Sequence, residues 1–237
     1  MRVLRGAVHV LGELCITLGV VLLLFVAWQL WWTDVVSGRT QARTAQALER
    51  QWDPPPRSGR GASPAPAQPV GGEQVSGPAT GTPFALIRVP RWGSDYVRPI
   101  LQGTDLSVLD EGVGHYPASV GPGAVGNFAL AGHRVTYAKP FNRIAELRAG
   151  DPIVIETRTT WYVYRVIGHT IVTPDRVDVV APVPQRPGVA PTERLMTMTA
   201  CHPEFSARER YVLFSRLAQT YPRSAGTRPP ELTAAVS

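Results

Sequence analysis

The sequence predicts a mainly β protein: a closed or nearly closed β-barrel with short helices, carried behind one N-terminal membrane-spanning helix. Three observations predict it. Residues Leu14 to Trp32 contain no charged side chain. Residues 53–83 hold eight prolines and six glycines and show no hydrophobic periodicity. From Phe84 to Tyr221 the chain then runs through short apolar and β-branched segments punctuated by Gly and Pro, the pattern of many short strands in a barrel.

The apolar stretch matches the ~20 residues a helix needs to cross a hydrocarbon core of ~30 Å. Trp28, Trp31 and Trp32 cluster at its C-terminal end, where indole rings favour the headgroup layer. It is too long for a cleaved signal peptide, and no A-x-A-like site follows. Residues 1–38 therefore read as a short cytoplasmic start and an uncleaved signal anchor. Arg2, Arg5 and the N-terminal amine favour a cytoplasmic N-terminus and an extracytoplasmic head, although Arg39 and Arg43 flank the other side. The segment Arg39 to Trp52 reads either as a short polar helix or as a solvated stalk. Residues 39–83 as a whole read as a Pro/Gly-rich linker, because such a composition cannot build a core. As flexible coil, residues 33–83 would span ~40 Å and hold the head away from the membrane.

Residues 84–223 form the head. Strands are expected at Phe84–Val89, Asn127–Ala131, Pro152–Thr157, Thr160–Ile167, Arg194–Thr199 and Tyr211–Leu217, each bounded by turn residues. Short helices are expected near Leu106–Asp110 and Asn142–Leu147, the latter before Gly150. Residues 224–237 read as a disordered tail.

The formal charge is +6, and Lys139 is the only lysine among 24 basic residues. The arginines are scattered and do not interleave with aromatics, which argues against a nucleic-acid-binding stripe. A basic surface fits an anionic lipid or cell-wall environment about as well as anything else. One cysteine in the head and dispersed histidines lack zinc-site spacing, so no metal is expected. The segment Gly121–Gly126 matches a dinucleotide fingerprint by spacing alone, and its proline makes it a turn. No cofactor is expected.

Cys201 is the only cysteine outside the anchor. In an oxidising compartment an unpaired thiol is a liability unless its chemistry is used, although a small buried core residue is the commonest fate of free cysteine. A thiol nucleophile needs a proton carrier and donors for an oxyanion. Cys201 ends one strand, and Ser206–Tyr211, which carries Arg208 and Arg210, leads into the next. If the two strands pair as antiparallel neighbours, Arg208 or Arg210 approaches the thiol and can stabilise both thiolate and oxyanion. His133 follows a strand and would sit on the barrel rim; an exposed loop histidine is the alternative. His202, adjacent to Cys201, points to the other face of an extended chain. His115, in Gly-His-Tyr-Pro, is a second residue that could line the cleft, against a turn residue with local hydrogen bonds.

The motifs Thr197-Met-Thr-Ala-Cys201 with Arg210, Gly126-Asn-Phe-Ala-Leu-Ala-Gly-His133, Gly114-His-Tyr-Pro117 and Pro140-Phe-Asn-Arg-Ile144 resemble those of sortases, in particular class E sortases of high-GC Gram-positive bacteria. The resemblance covers most of Phe84–Leu217. It implies an eight-stranded barrel with Cys201 as nucleophile, His133 as general acid/base and Arg210 as oxyanion and thiolate stabiliser. It also implies surface proteins with a C-terminal sorting motif (LAxTG or LPxTG-like) as substrates and a peptidoglycan precursor amine as acceptor. Thr199 and Ala200 would border the substrate. Met198 stands where the family usually has Leu, a near volume-conserving change. Ala200 stands where it usually has Thr, which would remove a hydroxyl beside the groove and bear on motif preference. The two other readings are a membrane-tethered thiol hydrolase and a non-catalytic wall-binding barrel.

Overall fold

Short runs of β-branched and aromatic residues pair into eight strands, in a computed structural model that describes residues 2–53, 78–224 and 228–233. The strands are β1 (Pro83–Arg88), β2 (Val97–Gln102), β3 (Val113–His115), β4 (Gly126–Ala131), β5 (Pro152–Glu156), β6 (Thr160–Val172), β7 (Arg194–His202) and β8 (Glu209–Pro222). They close in the order β1-β2-β3-β4-β7-β8-β6-β5. The pairs β2/β3 and β4/β7 are parallel and the others antiparallel. Closure leaves no free edge along the barrel.

Six of these strands coincide with the apolar runs of the sequence; β2 and β3 do not. β2 carries Pro99 in its middle, which ordinarily argues against a strand. β3 is three residues long, too short to show a period, and its Gly114 is needed because a Cβ there would lie 2.5 Å from the Gly103 carbonyl oxygen. β6 and β8 run beyond their apolar segments because each supplies the other's backbone partners from Thr160↔Pro222 to Val172↔Arg210, past two register shifts.

The barrel interior is packed by Ile87, Ile100, Phe128, Leu130, Ile153, Tyr164, Met196, Met198 and Leu213, among others. Alternation along β7 places Met196, Met198 and Ala200 in this core. Thr197, Thr199 and Cys201 therefore lie on the opposite, outer face.

One helix, α1 (Arg2–Trp52), is 51 residues long, about 77 Å at 1.5 Å per residue. It is the one helix among the described residues long and apolar enough to cross a membrane, and the apolar side chains described between Val8 and Trp32 are exposed. The Arg39–Trp52 segment continues this helix without a break. It does not stand free as a stalk. Ala45 and Leu48 are buried against Leu86, with Trp52 and Val97 packed around them. Arg88, itself buried, bonds Glu156 at 2.8 Å and also Glu49 of α1. Arg223 bonds Glu156 at 2.8 Å and Asp53, and lies over Trp52. The expectation of a head held off by flexible chain thus meets a helix seated on the barrel. The linker residues 54–77 and the tail residues 225–227 and 234–237 lie outside the described residues.

Candidate active site

Cys201 occupies the last turn of the pleat before β7 ends. Its backbone partner across the antiparallel ladder is Arg210 of β8, so the two side chains leave the sheet on the same face. β4 runs parallel to β7 on the other side, in register Leu130↔Met198 and Ala131↔Thr199, and the Gly132 N–H still donates to the Thr199 carbonyl at 3.1 Å. Extending that register by two residues sets His133 beside Cys201. Cys201 and Arg210 are thus paired neighbours on β7 and β8, and His133 follows the end of β4 by two residues.

Cys201 is half-buried and unpaired. His133 is largely covered. Its ring stacks on Tyr137 (centroids 5.2 Å apart), and its Nε2 lies 3.2 Å from Asp110 Oδ1. Asp110 terminates the short helix α2 (Leu106–Leu109), which crosses between the parallel strands β2 and β3. Arg210 donates through Nη1 to the Ala207 and Glu209 carbonyls at 2.9 and 3.0 Å. These bonds fix the guanidinium in the β7–β8 connection; among the described residues its Nη2 and Nε make none.

Two supporting residues were not evident from the sequence. Arg134, buried, donates to the Cys201 carbonyl at 3.3 Å and meets His202 Nδ1 at 2.8 Å. It also lies over the Tyr211 ring. Burial pushes the Tyr211 phenol up despite that nearby guanidinium. Strand alternation past Ala131 places residue 134 on the face of residue 202, which is the signal that points to Arg134. Asp110, 23 residues before His133, leaves no such signal. His202 lies with Arg134, opposite Cys201, as alternation requires.

The residues expected to border substrate are placed differently. Thr199 is buried, with its hydroxyl donating to the Leu130 carbonyl at 3.2 Å and lying 3.0 Å from the Tyr116 hydroxyl. Ala200 is on the barrel's inner face, paired with Tyr211 and packed in the core, so its methyl does not line the outer groove. His115 is buried between Phe84 and Phe128. Its Nδ1 meets Gln102 Oε1 at 2.7 Å, and its Nε2 meets Ser119 Oγ at 2.9 Å and the Val120 carbonyl at 3.1 Å. Burial pushes its pKa down, partly offset by that carbonyl. Both ring nitrogens are engaged inside the fold, the arrangement of a structural histidine.

A separate cleft of about 430 Å³ is lined by Gly168, Thr170, Val183, Pro184, Leu195 and Phe214, and none of His133, Cys201 and Arg210 lines it. Phe214 is four residues beyond Arg210 on the same face of β8, about 13 Å along the strand.

The Sortase domain family model matches residues 87–218. Sortase SrtE1 of Streptomyces coelicolor is 37% identical over 228 residues, covering 93% of this chain and 60% of the relative. Sortase SrtE2 of the same organism is 32% identical over 241 residues, covering 97% of this chain and 89% of the relative. The chain thus spans less than two thirds of the first relative's length and most of the second's. The crystal structure of Sortase E1 from Streptomyces coelicolor with tripeptide in the active site superposes with a TM-score of 0.59 at 37% identity, over 64% of this chain and 97% of that one. An eight-stranded barrel, a thiol at a strand end facing an arginine, and relatives of this similarity lead to one assignment: the chain belongs to the sortase family, whose members are cysteine transpeptidases.

Proposed function

We propose that this protein is a membrane-anchored transpeptidase. It cleaves an LAxTG- or LPxTG-like sorting motif between Thr and Gly and transfers the acyl group to a peptidoglycan amine. The observation that carries the reading is the pairing of Cys201 with Arg210 across β7 and β8, with His133 two residues past the end of β4, the parallel neighbour of β7. The Cys201 thiolate attacks the Thr carbonyl carbon, and the electron pair moves onto the oxygen, which the Arg210 guanidinium stabilises. Collapse breaks the C–N bond as His133 donates a proton to the leaving Gly amine, leaving a thioester on Cys201. The acceptor amine attacks that thioester, His133 takes its surplus proton, and the thiolate leaves as the new amide forms.

A peptide substrate is supported by the tripeptide in the active site of the Sortase E1 structure from Streptomyces coelicolor. Anchoring is supported by the exposed apolar length of α1, with the N-terminus cytoplasmic by its basic start. Surface proteins bearing the motif, the acceptor amine and membrane lipid are the partners this implies.

The test uses the full chain in lipid nanodiscs with a fluorogenic LAxTG peptide and a short amine acceptor. Cleavage and an amide product are expected, and Cys201→Ala lowers turnover by about 10³-fold or more. Full activity in Cys201→Ala would sink the assignment. Carboxylic acid as the sole product, with amine present, would make the protein a hydrolase.

A further inference from the structure

We infer that α1 is more than an anchor: through Asp34 and Gln41 it positions the catalytic histidine. The inference rests on the assignment of His133 as acid/base given above.

The seam begins with a stripe on α1. Asp34, Gly38, Gln41, Ala45, Leu48 and Trp52 follow at intervals of four, three, four, three and four, one face of a helix. The C-terminal half of this stripe meets β1 and β2. The N-terminal half meets the loop that follows His133. That loop is closed at its base by two bonds, Phe141 N–H to the His133 carbonyl at 3.0 Å and Asn142 Nδ2 to the Arg134 carbonyl at 2.9 Å. Its tip is left-handed at three successive non-glycine residues, Tyr137 (φ 52), Ala138 (φ 62) and Lys139 (φ 48). Such a run is disfavoured for L-residues and persists where surrounding contacts over-determine it.

α1 supplies a contact to each of the three. Gln41 Nε2 donates to the Tyr137 carbonyl at 2.9 Å. The Ala138 N–H donates to Asp34 Oδ1 at 3.3 Å, and Lys139 Nζ pairs with Asp34 Oδ2 at 2.8 Å. Gln41 is fully buried, and its Oε1 makes no hydrogen bond among the described residues. A helix face selected for packing alone would place an apolar side chain there; the amide is explained by the loop carbonyl it serves. Tyr137, whose carbonyl Gln41 holds, is the residue on which the His133 ring stacks. The chain of contact is short: α1, the Tyr137 backbone, the Tyr137 ring, the His133 ring.

Asp34 follows Trp32 by two residues, so the loop is seated where the span ends. A docked helix therefore couples membrane insertion to the geometry of the site, which a free tether would not do. Asp34 and Gln41 are positioning residues, since neither touches the reacting atoms.

The test compares the full chain in phosphatidylglycerol-containing nanodiscs as wild type, Gln41→Leu, Asp34→Asn, Asp34→Glu and Glu49→Gln. Glu49→Gln removes the Arg88 pairing at the far end of the seam. With the fluorogenic peptide, Gln41→Leu and Asp34→Asn are expected to lower kcat by about tenfold with KM changed less than about twofold, the signature of a misplaced catalytic group. Asp34→Glu should recover most of kcat, and Glu49→Gln should stay within about twofold of wild type. Thermal unfolding of each variant reports folding separately. Unchanged kcat in both Gln41→Leu and Asp34→Asn overturns the inference, as does an equal loss in Glu49→Gln, which would make docking a matter of stability alone. Failure of the wild-type chain to cleave the peptide overturns the acid/base assignment itself, and this inference with it.

Discussion

Ala200 and Cys201 are neighbours with opposite surroundings, because a strand turns successive side chains to opposite faces. Cys201 faces outward beside Arg210, whereas Ala200 faces Tyr211 inside the barrel. The change from the family's usual Thr is thus a matter of core packing. Ala200→Thr adds a hydroxyl and a methyl to a close-packed interior and is expected to destabilise by about 1–3 kcal/mol. Thermal unfolding measures that loss, and competition between LAxTG and LPxTG peptides is expected to show the same preference as wild type. A changed preference at unchanged stability would return Ala200 to the groove. Arg134 shows the same alternation at work: one residue beyond His133, it turns to the other face and braces the Cys201 carbonyl.

At the scale of elements, the site is assembled by three strand ends. β7 ends in Cys201 opposite Arg210 at the start of β8, and His133 follows the end of β4, which runs parallel beside β7. Gly132 is the joint between β4 and the His133 loop. A Cβ there would meet the Phe141 ring at 2.7, 2.9 and 3.0 Å. Phe141 is fully buried, so the ring cannot swing aside without opening the core. Gly132→Ala is expected to cost about 1–3 kcal/mol by overpacking. Because the displaced strand end carries His133, kcat should fall by about tenfold or more at temperatures where the variant is fully folded. Wild-type turnover with a folded barrel would show that the loop absorbs the shift.

At the scale of the whole molecule, two buried groups make stability depend on pH. His115 titrates lower in the folded protein than in the unfolded chain, because burial disfavours its cation. The unfolded chain therefore takes up the proton first, and stability falls as pH drops below ~6.5. Asp151 behaves as a paired carboxylate. Burial opposes its ionisation, but Arg91, in a two-point contact, and the Arg148 N–H outweigh burial and hold its pKa low. Its contribution is present above ~3.9 and is lost as pH falls through the lowered folded value. Melting temperature should accordingly fall in two acid-side stages. His115→Gln should flatten the stage between about pH 7 and pH 5 and leave the lower one in place. An unchanged slope between pH 7 and 5 in that variant would assign the upper stage to another group. The docked α1 belongs to this scale too, since Arg88 and Arg223 tie the barrel to a helix long and apolar enough to cross a membrane.

The sequence by itself determined an apolar segment long enough to cross a membrane, the β character of the head, and a strand that ends in Cys201 followed closely by a strand beyond Arg210. Each is written in local pattern: nineteen uncharged residues, alternating β-branched runs and a short connection between two strands. The sortase motifs carried His133 as well. Only the tertiary structure decided which strands flank β7, that Ala200 and His115 belong to the interior, and that Asp110 and Arg134 stand behind the site. These depend on barrel closure, which joins residues far apart in the chain and leaves no periodic trace in it. The seam of α1 was hidden for a related reason. Its stripe mixes Asp34, Gly38 and Gln41 with Ala45, Leu48 and Trp52, so it reads as polar until the loop carbonyl, amide and ammonium it meets are in place.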